Sequence, residues 1–179
     1  MRTLALGLVL CLIGSAGASA QNTTSALRGH NSNAPVNWAA DRIEVLDRAD
    51  RVLLTGNVVA DQGNLTLTAP RVTVAYTNAG GVAIDRIDAS GGVTVRSPSE
   101  TARGSVAIYD IDSRLITLVG GVTLTRGESQ VRGGRLVLDL TTGRAVMDGS
   151  GARAAAPGTT STGGRVTGTF KVAQRQPGQ

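Results

Sequence analysis

One short element recurs along this chain, and its recurrence constrains the fold more than any single residue does. Thr55-Gly56-Asn57-Val58, Ser90-Gly91-Gly92-Val93 and Val119-Gly120-Gly121-Val122 are copies of one another, and Asp148-Gly149-Ser150-Gly151 is a degenerate fourth. Their first glycines lie 35, 29 and 29 residues apart. Self-similarity at such a period marks a stack of one supersecondary unit. Further apolar segments stand at Arg42-Ile43-Glu44-Val45, Arg71-Val72-Thr73-Val74, Ser105-Val106-Ala107-Ile108 and Arg135-Leu136-Val137-Leu138. Gly, Asn, Asp and Pro break the chain between these runs, which is the punctuation of strands and turns. The pattern predicts an all-β stack of short antiparallel strands from Val36 to about Met147.

Alternation along a strand decides which side chains share a face. Counting from the repeat glycines predicts Val52, Leu54 and Val58 as inward in the first copy, and Ile87, Val93 and Val95 in the second. The third copy contributes Ile116, Leu118, Val122 and Leu124, and the intervening segments add Val106, Ile108, Leu136 and Leu138. The opposite face is rich in threonine. With 24 glycines and four aromatic residues in the whole chain, the interior has to be aliphatic. An apolar stripe of this kind must be covered, by a facing sheet or by closure, and a sandwich is expected. Few bulky side chains are available to fill the space between the sheets. The stripe therefore reads either as ordinary core or as an aliphatic groove, open over much of its length and suited to alkyl chains. Counting forward from Gly149 gives Gly151 and Arg153, so the stripe ends near Met147. A stack that does not close leaves an unpaired strand at each end, which invites head-to-tail self-association.

The flanks read differently. Residues 1–20 carry Arg2, an apolar run from Leu4 to Ile13 and the small-residue end Ala18-Ser19-Ala20, the pattern of a cleavable export signal. The run is too short to span a bilayer, and Leu10 before Cys11 does not fit a lipoprotein site. Cleavage would leave a chain without cysteine. Residues 21–35 read as a flexible polar leader, 36–149 as the β domain, and 150–179 as an Ala/Gly/Thr-rich tail. Within that tail, Arg165 to Val172 has the pattern of one last edge strand, and the composition from Ala173 predicts disorder. The net charge of +5 comes from arginines interspersed with Asp and Glu, the pattern of a mixed solvated surface, so no nucleic-acid partner is expected.

Little here reads as reaction chemistry. His30 is the only histidine and falls in the leader, so no triad, no histidine metal site and no catalytic residue is expected, nor any metal or cofactor. Asp110 and Asp112 read as turn residues beside Ser113. Gly80-Gly81, Gly133-Gly134 and Gly163-Gly164 precede no helix and read as turns and bulges, not phosphate loops. Trp38 reads as a lid on the open end of the core. Arg71, Arg103, Arg132 and Arg135 read as solvated positions, with phosphates at a groove rim as the alternative.

A family resemblance rests on two stretches. Ile116 to Gly127 followed by Val131 to Leu140, and Thr55 to Asn64 followed by Leu65 to Tyr76, are similar to the core repeat of the LptA/OstA-like family, over roughly Trp38 to Gly149. The resemblance implies a periplasmic β-jelly-roll that passes lipopolysaccharide, or a similar glycolipid, from an inner-membrane complex containing an LptC-like protein to an LptD-like outer-membrane translocon. It implies acyl chains held in the groove, protomers joined jelly-roll to jelly-roll, and no enzyme activity. From a different class, a structural or adhesive β-repeat protein assembling edge to edge without ligand fits the same repeats.

Overall fold

The computed structural model describes residues 30–78, 80–149 and 164–171. The expected export signal, most of the expected leader, the linker at 150–163 and the last residues lie outside these. Ten strands account for most of the rest: β1 (Val36–Ala39), β2 (Arg42–Leu46), β3 (Arg51–Gln62), β4 (Leu65–Thr77), β5 (Ala83–Arg96), β6 (Glu100–Asp110), β7 (Leu115–Arg126), β8 (Ser129–Asp139), β9 (Arg144–Asp148) and β10 (Thr167–Thr169). One turn of 3-10 helix, Asp47–Ala49, links β2 to β3. Every pairing is antiparallel, and from β3 to β8 each strand pairs with the next in sequence. The hairpin turns use their own side chains. Asp110 accepts the Ser113 amide at 2.8 Å, and Asp139 accepts the amides of Thr141 and Thr142 at 2.9 and 3.0 Å. The Asp110–Ser113 turn is the one expected from sequence.

The repeated glycine motif is a corner. In β3, β5 and β7 two consecutive residues take positive φ: Gly56 and Asn57, Gly91 and Gly92, Gly120 and Gly121. At each of these places the pairing register shifts, so that two residues on the odd-numbered strand face one on a neighbour. Such a bulge bends the strand sharply. Because the bulges lie side by side in the ladder, the whole sheet folds along one line into two halves whose inner faces share one core. Asn57, where the other copies have glycine, tolerates the left-handed conformation, and its side chain donates to Asp41 at 2.9 Å.

The first half-sheet uses the strand portions paired to β2 and β9, and the second uses those paired to β1 and β10. β10, within the segment expected to form a last edge strand, thus completes the second half by pairing with Gln130–Arg132 of β8.

On the odd strands, alternation survives the corner, so Leu54 and Val58 are both buried. On the even strands it does not. β4 buries Leu67 and Ala69, then Val72; β6 buries Ala102, then Ala107 and Tyr109. This overturns one pair of sequence expectations. Val106 and Ile108 face outward, opposite Val119 and Thr117, whereas Ala107 and Tyr109 pair with the buried Leu118 and Ile116. The physical reason is the reset at the corner, where the residue facing the bulge shifts the inward set by one position. The other inward expectations lie on the core side: ten of them are buried, and Val52 and Leu124 are partly buried against the core.

Candidate functional site

Most of the large apolar side chains that the fold leaves exposed, Trp38, Ile43, Val45, Leu46 and Val82, gather at the N-terminal end of the stack, whereas Val166 and Phe170 flank β10 at the other. β1 and β2 are short, and each covers only one half of β3. Trp38 pairs with the inward Ala60, and Ile43 with the inward Leu54, so both face the interior, yet they remain 50% and 46% exposed. Beneath them lies a cavity of about 390 Å3. The first half-sheet lines it with Ile43, Val52, Leu54, Val72, Val74, Ile84 and Ile87, and the second with Val36, Trp38 and Ala60. Val82 adds a further apolar wall, and Asp47 and Asn78 are polar members. Tyr76 also lines it; burial, followed by the nearby Asp47 and Asp50 carboxylates, raises its hydroxyl pKa, so the phenol stays neutral. A cavity in the range of roughly 300–1,000 Å3 with aliphatic walls and few polar groups suits an apolar ligand.

Deeper in the stack the two halves close on each other. Two further cavities measure only about 30 and 10 Å3, no more than a site for a water or two. Open apolar space is therefore concentrated at one end of the stack and does not run along much of its length. Leu118 and Leu136 are fully buried and border none of these cavities, and neither do Val58, Val93 and Val122. Of the sequence candidates, Val52, Leu54 and Ile87 line the large cavity. Ile87, Val95 and Ile116 line the second, and Val95, Leu124 and Leu138 the third. Val106 and Ile108 lie on the outer surface, away from all of them. Among the lining residues that sequence reasoning missed, Val72 and Val74 are the cross-strand partners of Leu54 and Val52.

A polar cluster borders the second cavity, which Gln62 and Tyr109 help to line. Gln62 donates from Nε2 to the carbonyls of Ser32 and Ala34 at 2.8 and 3.0 Å, which fixes its amide orientation. Its Oε1 then accepts from the Tyr109 hydroxyl at 3.0 Å and faces Nε2 of His30 at 3.2 Å. Nδ1 of His30 lies 3.0 Å from the Asn64 side-chain oxygen. His30 is 8% exposed. It is thus no loose leader residue but the anchor that fastens residues 30–34 over the side of the stack. Burial raises the Tyr109 pKa, so its hydroxyl remains a donor.

Residues 39–144 match the family described as LptA/(LptD N-terminal domain) LPS transport protein. The chain belongs to this family. An uncharacterized protein of Rhizobium meliloti (strain 1021) is 35% identical over 156 residues, covering 82% of this chain and 83% of that one. Among solved structures, this chain is similar to LptH, the LptA-homologous periplasmic component of the conserved lipopolysaccharide transport device from Pseudomonas aeruginosa. The TM-score is 0.65 at 18% identity, over 80% of this chain and 99% of that chain, an agreement of fold. The β-jelly-roll expected from the LptA/OstA-like repeat is the fold found. Among the described residues no group of His, Cys, Asp or Glu is arranged to hold a metal, and no helix is long and apolar enough to cross a membrane.

Proposed function

We propose that this protein is a non-enzymatic periplasmic bridge that carries lipopolysaccharide, or a similar glycolipid, from the inner to the outer membrane. An acyl chain of the cargo would lie in the cavity beneath β1 and β2, against Val52, Leu54 and Ile87. The observation that carries the reading is that aliphatic cavity of about 390 Å3, open at one end of a family fold. Apolar burial at about 25 cal/mol per Å2 would supply the binding energy without any specific polar recognition. An inner-membrane LptC-like protein and an outer-membrane LptD-like translocon would meet the short strands at the two ends. Head-to-tail self-association would use the same edges, and the N-terminal signal pattern supports export.

Photo-crosslinking side chains placed at Val52 and Val74 test the reading. With purified protein and lipopolysaccharide, both sites are expected to capture the glycolipid, whereas Val106 on the outer face is not. Failure of both cavity sites to capture it would sink the proposal. The closed packing around Leu118 and Leu136 favours one other reading, a structural or adhesive stack. That reading predicts ordered oligomers of lipid-free protein and no capture at any site.

A further inference from the structure

The outer faces of the two half-sheets differ in how their charge is balanced. On the first half, Arg42 pairs with Glu44, Arg86 with Asp88 and Arg135 with Asp148, at 3.6, 2.8 and 3.8 Å. On the second half, one continuous cross-strand row runs Thr68, Thr94, Arg103, Thr123, Arg132, Thr167. Residues paired across a ladder share a face, so all six point away from the core. Arg96 stands two residues along β5 from Thr94 and diagonal to Arg103. Arg96, Arg103 and Arg132 are exposed, and none of the five ion pairs among the described residues includes any of them. The carboxylate on this face at the β3 end, Asp61, is occupied by the Thr66 hydroxyl at 2.6 Å.

We propose that this outer face of the second half-sheet is a docking surface for an anionic phospholipid bilayer, with Arg96, Arg103 and Arg132 meeting headgroup phosphates. Guanidinium groups pair with phosphate oxygens through two parallel N–H donors, and the interleaved threonine hydroxyls add further donors. The shape selects the occupant. Six strands at about 4.8 Å spacing make an open face roughly 24 Å across, without a cradle for a lone phosphate. Among the described residues the row itself carries no aromatic side chain on which a nucleobase would stack, and the exposed Phe170 follows β10 at the rim, which disfavours single-stranded nucleic acid. A surface of many laterally mobile phosphates can match three fixed guanidinium groups. The proposal goes beyond the cargo reading and stands apart from it, because the cavity lies on the inner faces.

Vesicle co-sedimentation of the purified protein decides it. The protein is expected to sediment with phosphatidylcholine vesicles containing phosphatidylglycerol, not with phosphatidylcholine alone, and to be released by raised salt. The triple variant Arg96→Gln/Arg103→Gln/Arg132→Gln is expected to weaken the partition by roughly 100-fold, at about fivefold per arginine near an anionic surface. The variant Arg42→Gln/Arg86→Gln/Arg135→Gln removes the same charge from the other half and is expected to keep most of the binding. Thermal unfolding checks that both variants are folded. Three results would overturn the proposal: no preference for the anionic vesicles, equal loss in the two triple variants, or an equally tight and equally arginine-dependent hold on a single-stranded oligonucleotide.

Discussion

Two glycines at the corners separate two costs that a single substitution usually mixes. Gly92 and Gly120 both have positive φ, 96° and 85°. A methyl group on Gly92 would meet nothing within 4 Å, whereas on Gly120 it would lie 2.6 Å from the Ser105 hydroxyl oxygen. Gly92→Ala is therefore expected to cost about 1–2 kcal/mol of backbone strain, and Gly120→Ala to add about 1–3 kcal/mol of overlap. Urea unfolding midpoints should rank them in that order. The turn carboxylates give a pH signature. Hydrogen bonds from Ser113 hold the Asp110 carboxyl below its ordinary pKa, and those from Thr142 and then Thr141 do the same for Asp139. A depressed folded-state pKa means that the ionised form favours the fold. That stability is present above the ordinary aspartate range and is lost as pH falls through the depressed values. Asp139→Asn keeps an acceptor but removes the titration. Its thermal midpoint is expected to lie below that of the parent at neutral pH and to converge with it in acid. The role of Asp110 was legible in the sequence because turn chemistry is local. The role of His30 was not, because its partners Gln62 and Asn64 lie more than thirty positions away.

Among the strands, odd and even members of the ladder respond differently to the same corner. The odd ones carry the glycine signature and could be read directly. The even ones carry Pro70, Ser105 or Gly134 at that place, no common residue type, so nothing local announces the reset. In β6 the larger aliphatic residues, Val106 and Ile108, face outward, while small Ala107 is fully buried beside Tyr109, so residue size does not reveal the inward face. Ile108→Ala on the outer face is expected to cost about 1 kcal/mol, from its partial burial, and Ile116→Ala across the ladder about 2–5 kcal/mol. Chemical denaturation of the two variants checks this, and equal losses would contradict the assigned faces. The His30 cluster makes a second comparison. His30→Ala is expected to speed amide exchange in Val36–Ala39 while leaving β5 to β7 protected, because only the segment over Gln62 loses its fastening.

Over the whole molecule, the repeat and the strand order were legible, whereas the position of the cavity was not. Leu54 and Ile87 at the cavity are the same kinds of residue as Leu118 and Ile116 in the closed interior. What distinguishes them is how much of β3 is covered by two short strands, a matter of chain length at the end and not of side-chain type. The uncovered Ile43 and Val45, 46% and 54% exposed, leave apolar surface at that end. Val45→Lys is expected to reduce any concentration-dependent association seen by light scattering, because an edge charge opposes strand addition. The meander has one further consequence. From β3 to β8 every strand finds its partner in the strand just before it, so no hairpin must wait for a distant stretch of chain. Such a molecule can assemble vectorially, each new strand zipping onto a finished edge as it emerges from the ribosome, with little loop entropy to overcome at any step.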